Sequence, residues 1–154
     1  MTQKKYELLK NDTITAPNGK TLYRIKALID FGVVVAGSLG GYIEKEDNLA
    51  HSGNAWVSGN ARVSGDARVS GDALVSGNDD LVWFSNVGTE QGTLTVYKSK
   101  DDSLLATRGC FNGTVDEFLA KSAKVHDERI KREYRLLIEV AKSRLLGESY
   151  VPTF

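Results

Sequence analysis

Two histidines, one cysteine and an arginine-bearing turn are the residues of this 154-residue chain whose types and positions suggest chemistry near neutral pH. His126 stands between two expected helices beside Asp127, where a surface or helix-capping role suffices. His51 falls in a column of inward-facing positions, so it is either a hydrogen-bonded residue at the edge of the core or a general base. The run Arg108-Gly109-Cys110-Phe111-Asn112-Gly113 ends a strand-like segment and leads into a helix start at Thr114. Backbone N–H groups at such a start can hold an anion, with Arg108 and Thr114 helping, and a thiol there can have a lowered pKa. Cys110 has no second cysteine to pair with, so it is either a buried structural residue or part of that ligand-binding wall. No Asp, Glu and His group has metal-ligand spacing, and no GxSxG, Walker A loop or dinucleotide fingerprint occurs. The expectation is therefore no catalytic set, no metal and no cofactor.

The element that must position these groups is the stretch from Asn54 to Gly77, which reads NAWVSG, NARVSG, DARVSG, DALVSG. Each copy sets Ala and Val two residues apart, at Ala55/Val57, Ala61/Val63, Ala67/Val69 and Ala73/Val75, so both leave one face of an extended strand. That face belongs inside. Trp56, Arg62, Arg68 and Leu74 then point outward, and Ser-Gly-Asn/Asp supplies the corners. A short strand and a turn repeated every six residues resembles the hexapeptide left-handed parallel β-helix. Counting back in sixes puts Leu49, Ile43 and Gly37 in the alanine column and His51, Lys45, Leu39 and Val33 in the valine column. With three hexapeptides per coil, residues eighteen apart stack at about 4.8 Å. Glu44, Arg62 and Asp80 then form a charge ladder, and Trp56 lies over Leu74. An outward Trp56 needs cover, expected from the C-terminal module or a second protomer. Trp56, Arg62, Arg68 and Leu74 are thus the candidate partner-binding residues.

The flanks read as caps and packing partners. Residues 1–30 hold strand-like runs at 6–9 and 21–28 around Pro17-Asn18-Gly19, a hairpin expected to plug the first coil. Residues 31–80 form the helix of repeats, with the glycines of Gly37-Ser38-Leu39-Gly40-Gly41 at its corners. In 81–154 the runs 81–87, 93–98 and 104–110, joined by GTEQG and SKDDS, predict a three-stranded antiparallel meander. Thr114 with Glu117 predicts a capping box for a first helix, striped by Val115, Phe118, Leu119, Ser122 and Val125. A second helix is expected over 127–146, with Gly147 as its C-cap and the tail ESYVPTF docked or frayed. The fold class expected is mainly β with an α+β C-terminal part.

Twenty Lys and Arg balance twenty Asp and Glu, which removes a global basic signature of nucleic-acid binding. No apolar run approaches the roughly 20 residues of a membrane span, and the N-terminus lacks the apolar core of a signal peptide. A lone cysteine suits a reducing cytoplasm.

The segments KKYELLKNDTI, GKTLYRIKAL and GSLGGYIEKEDNLAHSGNAWV, followed by the repeats, resemble phage and prophage hexapeptide-repeat accessory proteins. VGTEQGTLTVYK, TRGCFNGTVDEFLAKSAKVH and YRLLIEVAKSRL resemble a C-terminal module of the same group. The resemblance implies a non-enzymatic viral binding protein in the host cytoplasm, occupying a host protein, with antiviral defence such as CRISPR–Cas as the target. Homo-oligomerisation is expected from the open coil ends. Two alternatives remain: a module binding a small anionic or nucleotide ligand at Arg108, Cys110 and Thr114, and a hexapeptide-repeat acyltransferase with His51 as base.

Overall fold

A Pro-Asn-Gly turn between alternating residues makes the first element. In a computed structural model, which describes residues 4–99, 101 and 103–147, β1 (Tyr6–Thr15) and β2 (Thr21–Ala27) pair antiparallel, with Gly19 at φ 85° in the connecting turn. β3 (Leu39–Ile43) continues this sheet antiparallel to β2. The repeat then supplies three strands of two residues each, β4 (Trp56–Val57), β5 (Arg62–Val63) and β6 (Leu74–Val75). β5 lies parallel to β3, and β4 lies parallel to β6.

The expected left-handed parallel β-helix does not form. Its inward residues are buried as the pattern requires: the four alanines and four valines expose at most 1 % of their surface. Yet the described residues make no closed or solenoid sheet. β5 completes a mixed four-stranded sheet, ordered β1-β2-β3-β5, while β4 and β6 form a separate pair. The chain is an α+β arrangement of mixed sheets. The physical reason is a change of register. Tyr42 lies beside Arg62 and Leu49 beside Val69, spacings of 20 residues, whereas Trp56 lies beside Leu74 at 18. Two extra residues therefore fall between Leu49 and Trp56, and Ile43 and Leu49 line up with Val63 and Val69 rather than with the alanines. The charge ladder is lost with the register: the Glu44 carboxylate accepts from the Gly65 N–H at 2.8 Å, and Asp80 pairs with Lys98 at 3.5 Å. Val33 and Leu39, expected inside, are 77 % and 52 % exposed.

β7 (Leu81–Val87), β8 (Gly92–Lys98), β9 (Leu104–Arg108) and β10 (Phe111–Thr114) make an antiparallel meander of four strands, not three. The fourth exists because Gly109, at φ 59°, closes a two-residue turn that brings Phe111 opposite Arg108. α1 (Val115–Val125) follows directly. Thr114 Oγ1 accepts from the Glu117 N–H and the Glu117 carboxylate accepts from the Thr114 N–H, a reciprocal cap. α2 (Glu128–Leu146) buries Ile130, Tyr134, Ile138, Ala141 and Leu145 at helical spacing against the sheet. Val125, expected in the stripe of α1, is 63 % exposed. The SKDDS loop is described only in part, and the tail ESYVPTF lies outside the described residues.

Two apolar cores result, one under the repeat and hairpin, one between meander and helices. Leu81 and Tyr97 of the meander belong to the first core. A polar seam joins the halves: Thr95 Oγ1 accepts from the Arg68 N–H, Thr107 Oγ1 donates to the Arg68 carbonyl, and the Tyr97 hydroxyl meets Ser70.

Candidate functional site

The four outward residues of the repeat do not form one exposed strip. Trp56 is 4 % exposed, its ring edge-on to Phe31 at 5.4 Å and to Tyr6 at 6.5 Å between centroids. Its cover comes from the N-terminal segment, not from the C-terminal module or a second protomer. Gly40 allows the approach: a Cβ there would stand 2.7 Å from Trp56 Cζ2. Leu74 is half-buried beside Trp56, and Arg62 and Arg68 are exposed but face different grooves.

His51 closes the same lid. Its ring stacks on Tyr6 at 4.1 Å, Nδ1 accepts from the Lys5 N–H at 3.2 Å, and Nε2 meets the Glu46 carboxylate at 2.9 Å. Both ring nitrogens are engaged in bracing the chain, which corresponds to the coil-edge alternative and leaves no free lone pair for base catalysis. The His51 hydrogen bond, helped by Lys4, holds the Glu46 carboxyl below its ordinary range. Beneath it the Tyr6 hydroxyl donates to the Leu49 carbonyl at 2.6 Å, and burial together with Glu46 and Asp47 pushes the phenol pKa well up. Lys5, 1 % exposed, donates to the Ala55 carbonyl at 2.6 Å, and burial lowers its pKa to about 8.

A group of exposed apolar residues includes two, Val33 and Leu39, that the sequence reading placed in the coil interior. Leu28, Val33, Val35 and Leu39 are 41 %, 77 %, 64 % and 52 % exposed, all at the end of the sheet where β2 turns into β3. Phe31 and Val34 pair across the turn, and the Asp30 carboxylate accepts from the Ala36 N–H at 2.7 Å, so the loop is held. Val33 and Leu74 share a shallow depression. The signal was available: three consecutive valines, 33 to 35, cannot all face inward at a period of two.

Arg108 and Cys110 both line a cavity of about 180 Å³ walled by Phe111, Phe118 and Tyr134. Thr114 does not; its hydroxyl is committed to the cap. The Arg108 guanidinium is partly committed as well, donating to the Tyr134 hydroxyl at 3.1 Å and to the Thr89 carbonyl. Cys110 is exposed at the tip of its turn, which removes the buried structural reading. His126 Nδ1 meets the Ser122 hydroxyl at 2.8 Å at the end of α1, a local cap as expected. Among the described residues no group of three or more His, Cys, Asp and Glu side chains could hold a metal, and no helix is long and apolar enough to cross a membrane. No family model, curated protein or solved structure matches the chain.

Proposed function

We propose that the chain is a non-enzymatic binding protein of a phage or prophage, acting in the cytoplasm by occupying a protein of the bacterial host, with an antiviral defence system such as CRISPR–Cas as the target. One observation carries this reading: three large apolar side chains, Leu28, Val33 and Val35, stand exposed on one braced loop, Leu39 stands exposed where that loop enters β3, and Val33 shares a depression with Leu74. Exposed apolar patches on globular proteins mark interaction surfaces. A loop already held by its own hydrogen bonds loses little freedom on docking, which favours affinity. Trp56 supports the patch from beneath and does not touch the partner.

The test is phage challenge of cells carrying a defence system, CRISPR–Cas first, with the protein co-expressed. Plaquing recovers with the native chain and falls back with Val33→Asp/Val35→Asp, a pair exposed enough to leave the melting temperature unchanged. Failure of the native chain to protect phage against every system tried, or full protection by the double variant, overturns the reading. The same loop is the expected contact between copies when no target is present. Light scattering after gel filtration should give a multiple of the protomer mass for the native chain and a single protomer for the variant.

A further inference from the structure

A groove of about 530 Å³ opens where three parts meet: the tip of the β1–β2 hairpin, the edge of the repeat, and the strand β7 with the end of α2. Its volume lies inside the range of small-molecule sites, roughly 300 to 1,000 Å³. Its composition is lopsided. Leu22, Leu81 and the half-buried Trp83 provide an apolar and aromatic floor, while Arg62 and Arg144 stand on it as cations, and no carboxylate lines it. Neither arginine side chain has an ion pair or hydrogen bond among the described residues. The neighbouring Asp80 is already taken, by Lys98 at 3.5 Å and by the Ser76 N–H at 2.9 Å.

We infer that this groove binds a nucleotide-sized aromatic anion, with the base against the Trp83 indole and the phosphate held by Arg62 and Arg144. Three features of the groove suit a ligand of that kind. Trp83 is half-buried, packed on one side against the first core, and lines the groove with the rest of its surface. An indole that lines a groove can stack a planar π system. Two guanidiniums with no side-chain partner among the described residues suit a phosphate, which accepts charge-assisted hydrogen bonds. The amide of Asn78 is fixed nearby, its Oδ1 accepting from the Arg62 N–H at 2.8 Å, which orients the strand that carries Arg62. This site lies apart from the apolar loop and stands whether or not that loop docks a protein.

Tryptophan fluorescence reads the site directly, because Trp56 is sealed in the core and Trp83 is the indole that lines the groove. Titration with the four nucleoside 5′-monophosphates quenches emission saturably for at least one of them. Adenosine and ribose 5-phosphate, each carrying half of the recognition, bind at least tenfold more weakly. Arg62→Gln/Arg144→Gln, two exposed positions, weakens the nucleotide by roughly tenfold or more and flattens the salt dependence of binding, as loss of two charge-assisted contacts requires. Trp83→Phe abolishes the quench while calorimetry still detects weakened binding. Absence of saturable quenching by all four monophosphates, or equal affinity in the double glutamine variant, overturns the proposal. Binding of inorganic phosphate as tightly as of the nucleotide also overturns it, since the base would then contribute nothing.

Discussion

The core under the repeat buries Ala and Val at fixed intervals, whereas the core under the helices buries Leu94, Val96, Phe118, Tyr134 and Ile138 with no common spacing. Small repeated side chains pack tightly but reach nowhere, so the bulk of the first core has to come from outside the repeat. Tyr6, Ile25, Leu49 and Trp56 supply it, and the buried Asn48 amide donates to the Gly65 and Ala67 carbonyls at 3.1 and 2.8 Å to tie two corners together. In the second core large aromatic residues do the filling themselves and leave a cavity beside Arg108. The first region is sealed by its lid; the second is shaped by gaps. A groove of about 530 Å³ lies between them.

Steric probes give the largest expected effects and compare the regions directly. Gly88 has φ 67°, and a Cβ added there would lie 1.8 Å from the Tyr134 hydroxyl, so Gly88→Ala combines strain with a clash against a buried ring. It should cost about 3 kcal/mol or more in urea unfolding. Gly40→Ala is the counterpart under the lid, with Cβ at 2.6 Å from both Ile25 Cγ1 and the Val57 carbonyl. It should cost nearly as much, and an unchanged unfolding midpoint for either would show that the corresponding core is loosely packed.

Trp56→Ala comes next, at about 3 kcal/mol for removing a buried aromatic. If the N-terminal segment is the cover, the loss appears in dilute protein and is independent of concentration. A loss that grows as the protein is diluted would instead place the cover in a second chain.

What the sequence revealed followed the length scale of each interaction. Period-two burial of Ala55 to Val75, the Trp56–Leu74 pairing and the Thr114–Glu117 cap were legible because each depends on residues close in sequence or on a repeat that fixes spacing. The register beyond Leu49 was not, because two inserted residues in AHSGNA shift every earlier column and leave no mark in composition. β10 was missed for a related reason: GCFNGT looks like a turn and a cap, and only pairing with Arg108 and its neighbours makes it a strand. At the candidate sites, single residues were found and their grouping was not. Arg62 and Arg108 carry the charge expected of them. Whether a guanidinium lacks a partner among the described residues, as for Arg62, or is spent on Tyr134 and Thr89, as for Arg108, depends on groups distant in sequence.

A smaller effect separates the regions by pH. Burial lowers the Lys5 pKa from 10.5 to about 8, so between those values the folded chain binds fewer protons than the unfolded one, and stability rises with pH. Below pH 8 Lys5 is charged in both states and the burial cost is fully present. Above about pH 10 the raised Tyr6 phenol acts in the opposite sense, because the unfolded chain then loses a proton that the folded one keeps. Native protein should therefore gain roughly 2 kcal/mol on Lys5→Met between pH 8 and 10, at about 1.4 kcal/mol per unit. Equal slopes for the two proteins across that window would mean that the carbonyls of Gly53 and Ala55 solvate the ammonium as well as water does.

The smallest effect belongs to the other region and has no pH dependence in that window. Thr114→Ala removes the hydroxyl that accepts from the Glu117 N–H at 3.1 Å and leaves one donor at the start of α1 without its partner. The expected cost is about 1 kcal/mol. Because β10 runs straight into α1, the cap also fixes where the strand ends, and amide exchange should rise first at residues 111–117 and not under the lid. A cost well below this, with unchanged exchange, would show that packing of Val115 and Phe118 against the sheet sets the helix start without help from the cap.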